Sequence, residues 1–279
     1  MMLRRFAARD GLPLAALDWP GDRGRTPLLC LPGICRTAMD YEEFALRHRG
    51  HRRVVALDYP GHGESGRAAE VSRYTPQAVV GDILDACAAL GLHRAVVVGT
   101  SFGGLMAMFL SLVRPTLLRG VVLNDIGPVV EPLGLERTRG FVGRDPAFAR
   151  DEEAVAYLQQ VMPGMPLRDA ESWRRFATLT YRRGEDDRLH PRWDTRLAQV
   201  MEGGAPVADF GPVFAGLRDI PTLLIWGERS EFLSARTVQA MRAEKPDLGL
   251  IVLPDSGHAP TLGEPELAPR LDAFLERLA

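Results

Sequence analysis

The stretch Val96-Val97-Val98-Gly99-Thr100-Ser101-Phe102-Gly103-Gly104, continued by Leu105-Met106-Ala107-Met108-Phe109-Leu110, decides the fold. Its β-branched run reads as a buried parallel strand and its tail as a helix. Between them Gly99, Ser101 and Gly103 are spaced as Gly-x-Ser-x-Gly. A serine on so sharp a strand-to-helix turn takes a strained backbone, and its hydroxyl projects at the top of the sheet. The glycines are needed because strand and helix crowd together there and a Cβ would clash. The turn also puts the Phe102 N–H at a helix N-terminus, where it can face a developing oxyanion. The alternative is a glycine-rich turn with an incidental serine. The strand before it and the helix after it are the context that separates the two.

This strand, turn and helix resemble the nucleophile elbow of the α/β-hydrolase fold family. The resemblance implies a mostly parallel, doubly wound α/β sheet with an N-terminal antiparallel hairpin and an inserted helical lid. It also implies a serine nucleophile served by a histidine base, a carboxylate and two backbone oxyanion donors.

At 279 residues, 46% of them hydrophobic, the chain is long enough for one large α/β domain with an insertion. A formal net charge of −2 and a pI near 6.3 provide no basic footprint for nucleic acid. No apolar run is long enough to span a membrane. Met1-Met2-Leu3-Arg4-Arg5-Phe6 has no apolar segment after its arginines and does not read as a secretory signal. Three cysteines, an odd number, suggest reduced thiols and a cytoplasmic setting. No Cys/His spacing matches a metal site. The expectation is a monomer or homodimer with a small-molecule substrate and neither metal nor cofactor.

Residues 3–19 alternate around Asp10-Gly11 and read as a β-hairpin. The short strand at 27–31 runs into Pro32-Gly33-Ile34-Cys35-Arg36. In the family this loop commonly carries His-Gly-x, and the residue after the glycine donates the second oxyanion N–H. Here Pro32 stands in the histidine's place, and Ile34 becomes the expected partner of Phe102. The strand at 53–58 leads into Tyr59-Pro60-Gly61-His62-Gly63-Glu64-Ser65. That segment resembles the family's Asp-x-x-Gly-x-Gly-x-Ser turn, with His62 in a structural role. A helical stripe over 75–90 ends at Gly91. The strand at 119–124 ends in Asp125-Ile126-Gly127-Pro128.

From 129 to 216 the βα rhythm disappears. Helical patches at 152–162 and 170–183 alternate with the breakers Met162-Pro163-Gly164-Met165-Pro166 and Gly203-Gly204-Ala205-Pro206. The segment reads as a helical lid, with the core built from 1–128 and 217–279. Phe141, Met162, Met165, Trp173 and Trp193 in the lid are candidate pocket walls, with Cys35 and Trp226 from the core. The rhythm returns as a strand at 220–227, a helix at 234–245, a strand at 248–253, a loop at 254–260 and a final amphipathic helix at 267–278.

His258 is the base candidate, because it lies in a Gly-His loop after the last strand, where the family places its histidine. Of the six histidines, His48, His51, His93 and His190 stand in polar surface contexts. For the acid, Gly227-Glu228-Arg229-Ser230-Glu231 resembles the family's Gly-x-x-Ser-Asp, with Glu231 in the aspartate's place. Asp125, at the end of the preceding strand, is the alternative, and Glu228 and Asp255 are weaker candidates. These assignments imply a serine hydrolase acting on a small carboxylic ester or lactone. A carbon–carbon bond hydrolase or an acyltransferase would use the same triad. A small-molecule-binding protein on this fold is the rival from another class. Haloalkane dehalogenases and epoxide hydrolases place an aspartate where Ser101 stands.

Overall fold

Alternation along the strands sorts side chains onto two faces of one sheet. In the computed structural model, which describes residues 1–202 and 210–279, the strands are β1 (Met2–Ala7), β2 (Pro13–Trp19), β3 (Leu28–Leu31), β4 (Val54–Asp58), β5 (Ala95–Thr100), β6 (Leu118–Asn124), β9 (Thr222–Gly227) and β10 (Gly249–Leu253). They form one eight-stranded sheet in the order β1-β2-β4-β3-β5-β6-β9-β10. The β1–β2 and β2–β4 pairs are antiparallel, and every later pair is parallel. The hairpin turns at Gly11, whose φ of +86° suits glycine.

Leu29, Leu31, Val97, Val121 and Leu123 face one core cluster. It is closed by α2 (Pro76–Ala89), α3 (Phe102–Val113) and α9 (Ala235–Glu244), through side chains such as Ile83, Met106 and Met241. Leu28, Cys30, Val96, Val98 and Val122 face the other cluster. There α1 (Glu42–His48) and α10 (Ala268–Glu276) supply Phe44, Leu271 and Phe274. The sheet is doubly wound, and strand ends β3, β5, β6 and β9 lie side by side at its carboxyl edge.

Between β6 and β9 the chain leaves the sheet. This insertion holds α4 (Pro132–Val142), α5 (Asp151–Val161), α6 (Ala170–Thr180), the hairpin β7 (Tyr181–Arg183) and β8 (Leu189–Pro191), α7 (Leu197–Glu202) and α8 (Gly211–Ala215). Phe141, Leu158, Trp173, Tyr181 and Trp193 give it a core of its own, shared with Cys35 and Tyr74. The helix expected over 170–183 stops at Thr180, because Tyr181 turns its ring against Phe148 and Trp193 and the backbone pairs across the hairpin instead. The Gly203-Gly204-Ala205-Pro206 breaker lies outside the described residues. His48 is not a surface residue: it is buried against Phe44, ring centroids 4.5 Å apart. Among the described residues no helix is long and apolar enough to cross a membrane.

Candidate active site

Ser101 sits between β5 and α3 with φ +51° and ψ −117°. Its amide donates to the Asn124 carbonyl (3.0 Å), which anchors the turn to β6. A non-glycine residue at positive φ costs on the order of 1–3 kcal/mol and persists only where its surroundings over-determine it. They do here. A Cβ on Gly103 would lie 1.9 Å from the Leu31 carbonyl oxygen, and one on Gly99 would lie 2.5 Å from the Gly103 backbone. The crowding presses helix, elbow and β3 together and leaves the serine side chain one way to point.

It points at His258. Ser101 Oγ and His258 Nε2 are 2.9 Å apart, and His258 Nδ1 lies 2.7 Å from Asp125 Oδ2. A buried carboxylate only accepts, so Nδ1 carries the proton and Nε2 is the free base that accepts from the serine hydroxyl. Asp125 follows β6, is fully buried and adopts φ +56°. Its Oδ1 accepts from the Gly227 amide at 2.9 Å, and its own amide donates to Ile225 (2.8 Å). Both carboxylate oxygens are thereby held, and the carboxylate in turn fixes the imidazole tautomer.

The expected acid Glu231 is elsewhere. Its carboxylate pairs with Arg137 Nη1 at 2.5 Å and is partly exposed. The physical reason lies in the loop after β9. Ser230 Oγ accepts from the Phe232 and Leu233 amides, and this tight turn faces Phe232, not Glu231, towards the histidine. The Phe232 ring stacks on the His258 imidazole, centroids 3.7 Å apart and planes 19° from parallel. Sequence reasoning missed Phe232; its one signal was an aromatic residue in a polar loop beside an expected acid. Glu228 and Asp255 are both exposed, and Asp255 pairs with Arg229 on the surface.

The loop after β3 lies against the nucleophile. A Cβ on Gly33 would meet Ser101 Cβ at 3.8 Å. Tyr59 Oη donates to the Pro32 carbonyl at 3.1 Å, and His62, buried with its ring nitrogens on the Pro60 and Ile34 carbonyls, braces the loop from behind. Burial holds the His62 pKa below its ordinary value. The Ile34 and Phe102 amides donate to no other described residue; Phe102 follows Ser101 in the chain, and Ile34 follows Gly33, which packs on Ser101.

Of the expected pocket walls, Phe141, Trp173, Trp193, Trp226 and Cys35 are buried, and Met162 and Met165 are partly buried against the same cluster as Phe141. Phe141 and Trp173 fill the insertion's own core, Phe141 against Trp193 at 5.3 Å and Trp173 against Phe176 at 6.1 Å. Trp226 is buried in the sheet–helix core with its indole N–H donating to the Leu233 carbonyl at 2.9 Å. Cys35 is also buried, beside Ile34, and burial pushes its thiol well above the usual range, which leaves an inert side chain. The insertion meets the site by other contacts. The Gly257 amide, next to His258, donates to the Gly164 carbonyl at 2.8 Å. Arg36, two residues after Ile34, donates to Thr180 Oγ1 at 2.6 Å and lies over the Phe176 ring. Among the described residues no cluster of His, Cys, Asp or Glu is arranged to hold a metal ion.

The alpha/beta hydrolase family model matches residues 28–268. The 3-hydroxybutyrate-oligomer hydrolase of Cupriavidus necator is 31% identical over 262 residues, 90% of this chain and 89% of that protein. The 2-(acetamidomethylene)succinate hydrolase of Mesorhizobium japonicum is 28% identical over 251 residues, 88% of this chain and 86% of that one. The crystal structure of an alpha/beta hydrolase from Novosphingobium aromaticivorans superposes with a TM-score of 0.93 at 38% identity, covering 99% of this chain and 98% of that one.

Proposed function

The chain belongs to the alpha/beta hydrolase family, and from that premise we propose that it is a serine hydrolase cleaving a small carboxylic ester or lactone through an acyl-enzyme on Ser101. The observation that carries this reading is the unbroken hydrogen-bond chain from Ser101 Oγ through His258 to Asp125. His258 Nε2 takes the hydroxyl proton as Oγ attacks the substrate carbonyl, and the Ile34 and Phe102 N–H groups receive the oxyanion. One such donor is worth about 2.7–4 kcal/mol in comparable sites. The imidazolium, held by Asp125 and covered by Phe232, returns the proton to the leaving alkoxide. A water deprotonated by the same nitrogen then attacks the acyl-enzyme and frees the acid and Ser101. Every step is carried by the chain's own residues and water.

In this reading the insertion is the lid, tied to the histidine loop through Gly164 and to the oxyanion loop through Thr180. Oligomers of a hydroxy acid are esters by construction, so the name of the Cupriavidus relative supports the ester class and adds hydroxy-acid esters to the substrates worth trying.

The test is intact-mass analysis after a fluorophosphonate probe, followed by a panel of esters and lactones. One adduct on the wild type and none on Ser101→Ala, with turnover lost in the same variant, is the expected result. Turnover that survives in Ser101→Ala would discard the acyl-enzyme.

A further inference from the structure

Behind the triad a second set of buried polar groups runs across the sheet. Asn124, fully buried, donates from Nδ2 to the Pro260 carbonyl at 2.8 Å and to Thr100 Oγ1 at 3.1 Å. Thr100 Oγ1 is 3.0 Å from Tyr41 Oη, which reaches the Leu31 carbonyl at 2.9 Å. With Tyr41 donating to the Leu31 carbonyl, and within reach of the Val98 carbonyl at 3.2 Å, the Thr100 hydroxyl donates to Tyr41 and accepts from Asn124. The members are not scattered. Thr100 precedes Ser101, Asn124 precedes Asp125, Pro260 follows His258 by two, and Leu31 precedes the oxyanion loop.

The geometry points to a positioning role: the Asn124–Thr100–Tyr41 chain sets the spacing of the four loops that carry nucleophile, acid, base and oxyanion donors. It rests on the serine-hydrolase reading of the site. Asn124 is the pivot, because its amide joins the histidine loop at Pro260 to Thr100 at the end of β5. The arrangement leaves Asn124 Oδ1 buried without a partner. An apolar side chain of that shape would remove the unpaired oxygen but would also leave the Pro260 carbonyl and the Thr100 hydroxyl without their donor, so the asparagine is retained for the two loops it joins. Before His258 the loop is held by the Arg229 amide on the Ser256 carbonyl and by its close packing on Gly227; after His258 it is Asn124 that holds it, at Pro260, and a small drift there separates Nε2 from Oγ.

The test compares Thr100→Val, Asn124→Leu and Tyr41→Phe with Thr100→Ser. Ser111→Ala serves as a control; it removes a buried hydroxyl that donates only to backbone carbonyls on α3 and α8. Two readouts are taken on the full chain: the rate of fluorophosphonate labelling, and the low-field proton resonance of His258 Nδ1–H, assigned by its loss in Asp125→Asn. Thr100→Val and Asn124→Leu are expected to slow labelling roughly ten- to hundredfold and to broaden the resonance. Thr100→Ser should retain both, and Ser111→Ala should lose stability without losing either. Wild-type labelling in Thr100→Val and Asn124→Leu would overturn the proposal. If the wild type itself resists the probe, the serine-hydrolase reading fails, and the resonance still decides: unchanged in both variants, it refutes the positioning role. Should Asn124→Leu not fold, Tyr41→Phe tests the same chain from its other end.

Discussion

Asp125 and His258 stand 133 positions apart, and their side chains meet at 2.7 Å. The carboxylate reaches the imidazole because β6 and β9 are neighbours. Asp125 leaves the end of one and is held by the Gly227 amide at the end of the other. Exchanging the two candidate acids therefore separates the readings. Asp125→Asn keeps the shape and disturbs the tautomer, and is expected to lower kcat by about 10³–10⁴-fold. Glu231→Gln removes a partly exposed pair with Arg137, an interaction of about 1 kcal/mol or less. It should leave kcat within about twofold. Steady-state kinetics on one ester decides, and a larger loss in Glu231→Gln would reverse the assignment.

Phe232 covers one face of the imidazole at 3.7 Å. Ring stacking of this kind is worth about 0.5–1.5 kcal/mol, and an aromatic face also favours a cation. Phe232→Leu is expected to lower kcat/KM up to roughly tenfold, while Phe232→Tyr stays near the wild type. Equal losses in both variants would mean that the ring acts only by filling space.

The elbow glycines should not be equal. A Cβ at Gly103 meets backbone, the Leu31 carbonyl oxygen at 1.9 Å, whereas one at Gly104 first meets the Ile126 side chain at 2.4 Å. Backbone of a central strand cannot yield and a methyl can shift. Gly103→Ala is expected to prevent folding or lower Tm far more than Gly104→Ala. Thermal unfolding by circular dichroism gives the order, and the reverse order would contradict this account of the turn.

Gly257 touches the insertion. Its Cβ would lie 2.5 Å from the Gly164 carbonyl oxygen, on the contact that joins the Met162–Met165 loop to the histidine loop. Gly257→Ala should push the two loops apart and lower kcat/KM at least roughly tenfold, with Tm nearly unchanged. A large fall in Tm without loss of activity would make the contact structural only.

Two buried groups give opposing pH dependences of stability. Burial, with the Arg47 and Arg52 cations nearby, lowers the His48 pKa to about 4. The folded state then refuses a proton that the unfolded state accepts, and stability is lost as pH falls from about 6.5 to about 4. Burial raises the Asp58 carboxyl to about 6, against the pull of its Ala38 and Glu64 amide donors. The folded state there holds a proton that the unfolded state releases, so that contribution falls as pH rises from about 4 to about 6. The two nearly cancel in the wild type. His48→Gln should uncover the second: its deficit against the wild type shrinks by roughly 2–3 kcal/mol between about pH 7.5 and pH 4.5. Urea unfolding at both values measures it, and a deficit that does not change with pH would refute the assignment.

Local sequence was sufficient for much of this protein. The run Val96-Val97-Val98 meeting Gly99-Thr100-Ser101-Phe102-Gly103 specified a strand, a turn too tight for side chains, and a helix, and the structure holds each at that place. The hairpin at 3–19 and the strand at 248–253 were legible for the same reason, because period-two alternation and turn glycines act within a few residues. The place of His258 in the loop after the last strand was legible. The carboxylate beside it was not. Glu231 and Asp125 both sit in loops at strand ends, and one residue of turn geometry, set by Ser230, decides which carboxylate faces the imidazole. Phe232 and the Asn124–Thr100–Tyr41 chain were hidden because their partners lie on segments distant in the sequence. The aromatic residues of the insertion were legible as buried, yet their sequence could not say which surface would bury them. The sequence by itself determined the strands, the elbow and the serine's strained turn, since sterics and side-chain period are local. Only the tertiary structure decided which carboxylate, ring and amide surround the histidine, since contacts between distant segments depend on how the sheet brings their ends together.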